Sequence, residues 1–201
     1  VGTLIYSQKD ENFQVKKVRR YLQQRGQKTW FEISLQKYFD GFLEQAKQVS
    51  AEWEIYDKLI SRREEVQFCH GDYQYHNMIC GKDGWFVVNF EKCLPDSPVR
   101  DLYLLLRKLL EKSNWSVSLG SSLLEAYEEV RPLDVLSRID LYYRLAYPEK
   151  FWKIVNFYYN SGKAWIPGRN QEKLENLVSQ EKEKQHFLEE VFRSVEKLAM
   201  R

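Results

Sequence analysis

The chain has 201 residues, 43% of them hydrophobic and 30% charged, with 31 Lys and Arg against 29 Asp and Glu. That is enough apolar material for a sizeable core in one domain, and it excludes a disordered chain. A formal net charge of +2 gives no electrostatic reason to expect nucleic acid or an anionic membrane as partner, and no apolar run approaches the roughly 20 residues of a membrane helix.

The first predicted element is a helix from about Asp10 to Arg25, with Phe13, Val18, Tyr21 and Leu22 near helical spacing. Gly26 is its expected stop. A long helical pattern follows from Thr29 to about Arg63, with an expected break at Asp40-Gly41. Thr29 and Glu32 have the spacing of a capping box. Phe31, Leu35, Phe39, Phe42, Leu43, Ala46, Trp53, Tyr56 and Ile60 form its apolar stripe.

At Val66 the period changes. Val66-Gln67-Phe68-Cys69 is a short β-prone run. Asn77–Cys80 and Trp85–Phe90 flank Gly81-Lys82-Asp83-Gly84, and Asp-Gly between apolar segments signals a hairpin. This hairpin is the only β structure the sequence predicts with a clear pattern. Pro95-Asp96-Ser97-Pro98 reads as a loop, with Ser97 and Pro98 suited to N-cap and first helical position. Helices are expected from there to Lys112 (burying Leu102, Leu105, Leu106, Leu109 and Leu110), over Leu119–Val130, Asp134–Leu145 and Pro148–Asn160, and as one terminal helix over Gln171–Ala199. The run Glu181-Lys182-Glu183-Lys184 reads as a solvated face. The fold class is therefore mainly α (α+β): helices around one small β-hairpin.

Between the β-prone run and the hairpin lies Cys69-His70-Gly71-Asp72-Tyr73-Gln74-Tyr75-His76-Asn77. An Asp on a short loop after a strand can take a proton from a substrate hydroxyl. An Asn five positions on can offer an amide oxygen to Mg²⁺, and a further oxygen from the end of the hairpin would complete the protein's share of the metal shell.

Cys69, Cys80 and Cys93 cannot all pair, and reduced thiols in a cytoplasm fit three such residues. With His70 and His76 they raise a zinc reading, which the lack of Cys-x-x-Cys spacing disfavours against buried thiols. Tyr142 to Trp165 is dense in aromatics. A cage for a quaternary ammonium competes there with core packing, which helical spacing favours.

His70-Gly71-Asp72, with Asn77 five positions after the Asp, resembles the catalytic loop of the protein-kinase-like superfamily in its aminoglycoside/choline kinase branch. The resemblance implies Asp72 as catalytic base and Asn77 as metal ligand. Val88-Asn89-Phe90-Glu91 matches the segment whose Asp binds Mg²⁺ in that branch, so Asn89 stands where active relatives carry Asp. A neutral amide still offers oxygen but removes a charge. Glu91 is the expected substitute, since positions i and i+2 of a strand share a face. His70 and Gly71 would be structural, and Asp101, in Arg100-Asp101-Leu102, would brace the loop backbone.

Together with Asn89-Phe-Glu-Lys-Cys93, Val99–Lys108 and Pro148-Glu-Lys-Phe-Trp-Lys153, the loop is similar to the CotS-type spore coat family. The chain then reads as a single C-terminal lobe over residues 1–201. No glycine-rich phosphate loop or strand-borne Lys-Glu pair is recognisable, so the nucleotide-holding N-terminal lobe is expected to lie outside this chain. Two functions follow as expectations. One is a spore coat component of pseudokinase character, made in the cytoplasm and partnered by other coat proteins, with no nucleic acid or membrane partner. The other is a phosphotransferase acting on a small hydroxyl compound, with ATP and Mg²⁺ as cofactors of a full-length active parent.

Overall fold

A computed structural model describes residues 18–24, 26–63, 67–160, 167–193 and 195. The described chain runs as α1 (18–24), α2 (Trp30–Arg63), β1 (Gln67–Cys69), β2 (Met78–Gly81), β3 (Gly84–Val87), β4 (Leu94–Asp96), α3 (Pro98–Lys112), α4 (Val117–Val130), α5 (Val135–Ala146), α6 (Glu149–Asn160), α7 (Pro167–Ser179) and α8 (Glu181–Val191). The part of the first expected helix before Val18 lies outside the described residues. The chain gathers into two compact units. One holds Glu52–Ala146 with the segment from Lys182 onward; the other holds the described residues up to Ala51 together with Tyr147–Glu181.

In the second of these units, α2 begins with the expected capping box. The Glu32 backbone N–H donates to Thr29 Oγ1 at 3.3 Å, and the Thr29 N–H donates to Glu32 Oε2 at 2.8 Å. Phe31, Leu35, Phe39, Phe42 and Ala46 are buried along one stripe. The expected break at Asp40-Gly41 does not occur, and α2 is continuous. Asp40 and Gly41 both face solvent, where a helical glycine costs only about 1 kcal/mol, less than the packing on the other face returns. Phe42 stacks on Phe151 of α6 at 4.4 Å between ring centroids, and Phe31 packs on Tyr158 at 4.3 Å.

In the first unit, β1 pairs antiparallel with β4, in the register Gln67↔Asp96, Phe68↔Pro95 and Cys69↔Leu94. The segment expected as a loop from Pro95 is thus partly a strand. Pro95 has no N–H to give, which an edge strand tolerates. The hairpin pairs Met78↔Val87, Ile79↔Phe86, Cys80↔Trp85 and Gly81↔Gly84, so its two-residue turn is Lys82-Asp83. β3 ends at Val87, short of the expected Phe90, and a 3₁₀ turn occupies Phe90–Lys92.

Ser97 caps α3 by accepting the Val99 N–H at 3.3 Å, with Pro98 in the first turn. Leu102, Leu106 and Leu110 are buried, whereas Leu105 and Leu109 are half-buried. Asp134 Oδ1 accepts the Ser137 N–H at 2.7 Å ahead of α5. On α4, a Cβ added at Gly120 would stand 2.2 Å from the Phe187 ring of α8, so only glycine permits that approach.

The terminal helix is interrupted at Gln180. Its charge run is not wholly solvated: Lys184 is only 5% exposed. The Lys184 ammonium donates to the Ala146 carbonyl at 3.0 Å and lies 5.6 Å from the Trp115 ring centre. It therefore satisfies a carbonyl at the end of α5, where a cation is favoured.

The aromatics of Tyr142–Trp165 divide between the units. Tyr143, Phe151 and Tyr158 are buried core residues, and Trp165 lies outside the described residues. No described helix is long and apolar enough to cross a membrane.

Candidate active site built on the His70–Asn77 loop

The loop leaves β1 at Cys69, and α3 holds it from the other side. Asp101, in the first turn of α3, accepts the His70 N–H at 2.6 Å on Oδ2 and the Gly71 N–H at 2.9 Å on Oδ1. Two adjacent backbone donors are satisfied by one carboxylate, and charge-assisted bonds of this kind are the stronger class. His70 is buried. Its Nδ1 accepts the Asp72 N–H at 3.2 Å, so its Nε2 carries the proton and donates to the Val88 carbonyl at 2.9 Å. The imidazole thus ties the loop to the end of the hairpin.

Gly71 adopts φ +75°, and a Cβ there would meet the Lys92 carbonyl oxygen at 2.1 Å. Both the left-handed backbone and the backbone contact require glycine. Gly71→Ala is expected to lower stability by about 1–3 kcal/mol, read as a fall in the urea midpoint at unchanged m-value.

Asp72 is half-buried, and both of its carboxylate oxygens are engaged. Gln74 Nε2 donates to Oδ1, and Lys92 Nζ donates to Oδ2 at 2.8 Å. The hydrogen bond and charge of Lys92 hold the Asp72 carboxyl below the usual carboxylate range, against a smaller opposing effect of burial; Gln74 adds to the lowering. With a depressed folded-state value, the pair contributes its stability above the carboxyl's unfolded range and loses it as pH falls through the folded value. Lys92→Met should raise the Asp72 carboxyl, and an NMR titration of that carboxyl measures the shift. An ammonium-paired, acidified carboxylate is also a weaker proton acceptor for a substrate hydroxyl.

Asn77 is buried, and its Nδ2 donates to the Asp72 carbonyl at 2.8 Å. That bond turns Oδ1 toward the hairpin end, where Asn89 Nδ2 donates to it at 2.9 Å. Asn89 sits at φ 68°, ψ 61°, a left-handed conformation that Asn tolerates. Asn77 thus joins the Asp72 backbone to the Asn89 side chain. Glu91 is exposed within the 3₁₀ turn. The strand alternation that would put it on one face with Asn89 is absent, because β3 has ended.

Mg²⁺ takes hard oxygen donors and gains most from anionic ones. Here the one carboxylate is neutralised by Lys92, and the Asn77 amide oxygen is covered by an N–H. The residues as arranged do not fit a divalent cation.

Sequence reasoning did not find Lys92 and Gln74 as partners of Asp72. Lys92 lies 20 residues away and carries no local pattern. Among the cysteines, Cys69 is buried while Cys80 and Cys93 are exposed, against the expectation of buried thiols. Burial, with the negative charges of Asp101 and Asp96, pushes the Cys69 thiol up to about 11.

The family described as "Spore coat putative kinase YutH" matches residues 7–191. Spore coat protein S of Bacillus subtilis (strain 168) is 29% identical over 168 residues, a match that takes in 80% of this chain and 47% of the relative. The chain therefore spans about half the length of that curated relative. The crystal structure of an aminoglycoside phosphotransferase from Alicyclobacillus acidocaldarius subsp. acidocaldarius DSM 446 superposes with a TM-score of 0.81 at 21% identity, over 94% of this chain and 57% of that one. The aminoglycoside phosphotransferase fold, mainly α with a small β-hairpin region, is thereby established.

Proposed function

The chain belongs to the spore coat putative kinase YutH family, and from that premise we propose that it serves the spore coat as a structural component on a phosphotransferase-type lobe. Its partners in this reading are other coat proteins, met through surface contacts. One observation carries the loss of catalysis. The constellation that would hold a base and a metal is closed on itself, with Asn89 Nδ2 on Asn77 Oδ1 and Lys92 Nζ on Asp72 Oδ2. A polar network satisfied by its own donors rigidifies the loop without requiring a cation.

The competing reading is an ATP- and Mg²⁺-dependent phosphotransferase acting on a small hydroxyl compound, with Asp72 as its base. The retained Asp72 and Asn77 favour it. Calorimetric titration of Mg²⁺-ATP into the protein separates the two. Absence of binding at millimolar nucleotide, with an Asp72→Ala protein that still incorporates into coats, is the expected result. Asp72-dependent phosphate transfer to a small molecule or a coat protein would overturn the structural reading.

A further inference from the structure

A cavity of about 340 Å³ lies among β1, α3 and α4. Its walls are mostly apolar: Leu102, Leu105 and Leu106 of α3, Leu123 of α4, with Phe68 and Tyr73 among the aromatic walls. This volume falls at the small end of the range for ligand sites, and the mix of an apolar wall with a few polar groups is typical of them.

Polar residues also line it: Asp101, Cys69, Tyr127, Gln67 and, with its phenol group, Tyr73. Each Asp101 oxygen accepts one loop N–H, and a carboxylate oxygen has capacity for a second donor. The Tyr127 hydroxyl is half-buried and has no hydrogen-bond partner among the described residues. Burial raises the Tyr127 phenol against the opposing charge of Arg131, and burial with Asp101 and Asp96 raises the Cys69 thiol. The negative charge of Asp101 in the lining disfavours an anion.

We propose that this cavity binds a small, uncharged, mainly apolar molecule with one N–H or O–H donor, which bonds to Asp101, and that occupancy is felt by the His70–Asn77 loop. Asp101 is the link, because it lines the cavity and its carboxylate holds the His70 and Gly71 amides. Tyr73, inside the loop, lines the same cavity. The inference is independent of whether phosphotransfer survives, since it uses neither Asp72 nor Asn77.

Indole is a suitable probe, being flat, uncharged and armed with one N–H. Titrated into the chain and followed by amide NMR, indole should bind saturably and shift the His70 and Gly71 amide resonances. N-methylindole, which lacks the donor, and indole-carboxylate, which is anionic, should each bind at least about tenfold more weakly. Leu123→Trp and Leu105→Phe fill the cavity from separate helices and should weaken indole binding in any variant that still melts cooperatively. The proposal falls if indole gives no saturable shift, if indole-carboxylate binds as well as indole, or if both folded variants bind indole as the parent does. It also falls if indole binds without moving the two loop amides.

Discussion

Asn89→Asp should create a divalent cation site, and melting temperature in the presence and absence of Mg²⁺ should reveal it. The Asn77 Nδ2 bond to the Asp72 carbonyl fixes Oδ1 toward position 89. A carboxylate at 89 then faces that oxygen with no hydrogen between them, which costs about 1–3 kcal/mol without metal. Asp tolerates the left-handed backbone of this position as Asn does, so the change acts through charge and not through refolding. The carboxylate at position 89 and Asn77 Oδ1 would then be the oxygens able to hold Mg²⁺, which should restore the lost stability and bind at least about tenfold more tightly than to the parent chain. Adding Lys92→Met should tighten binding further by freeing Asp72. A melting temperature indifferent to Mg²⁺ in both variants would show that something other than neutralisation closed this site.

Asp140→Ala should cause the largest loss of stability. Asp140 is fully buried, and its Oδ2 accepts Arg144 Nε at 2.8 Å one turn along α5, while Arg144 is 7% exposed. Trp53 Nε1 donates to the other oxygen at 3.4 Å. Removing the carboxylate breaks a buried ion pair and takes a charged partner from the Arg144 guanidinium, at a cost of about 3–5 kcal/mol. For a chain of this length, that corresponds to a drop in melting temperature of roughly 6–20 °C. The double variant Asp140→Leu, Arg144→Met should regain most of the loss, because both charges of the buried pair are then replaced by apolar groups. A double variant as unstable as the single would assign the cost to packing instead.

Neither residue pair announced itself in the same way. Asp140 and Arg144 stand one helical turn apart, so their pairing is readable from spacing, although their burial is not. Lys92 and Asp72 lie 20 residues apart and meet where the Lys92 carbonyl closely approaches Gly71. The strand pair β1–β4 escaped for a related reason. Three residues are too few to show a period, and Pro95 argues for a loop until a partner on one side makes it an edge.

The amino-acid sequence by itself determined the helices with strong apolar stripes, the caps at Thr29 and Ser97, the hairpin and the identity of the loop residues. Those features depend on neighbours within a few positions, where period and capping chemistry act. Tertiary structure alone decided that Asp40-Gly41 does not break α2, that Lys184 is buried at the end of α5, and that Glu91 leaves the face of Asn89. It also decided the state of the site. Charge neutralisation by Lys92 and the amide contact of Asn89 arise from segments brought together by folding, and local sequence has no means of recording a distance across a loop.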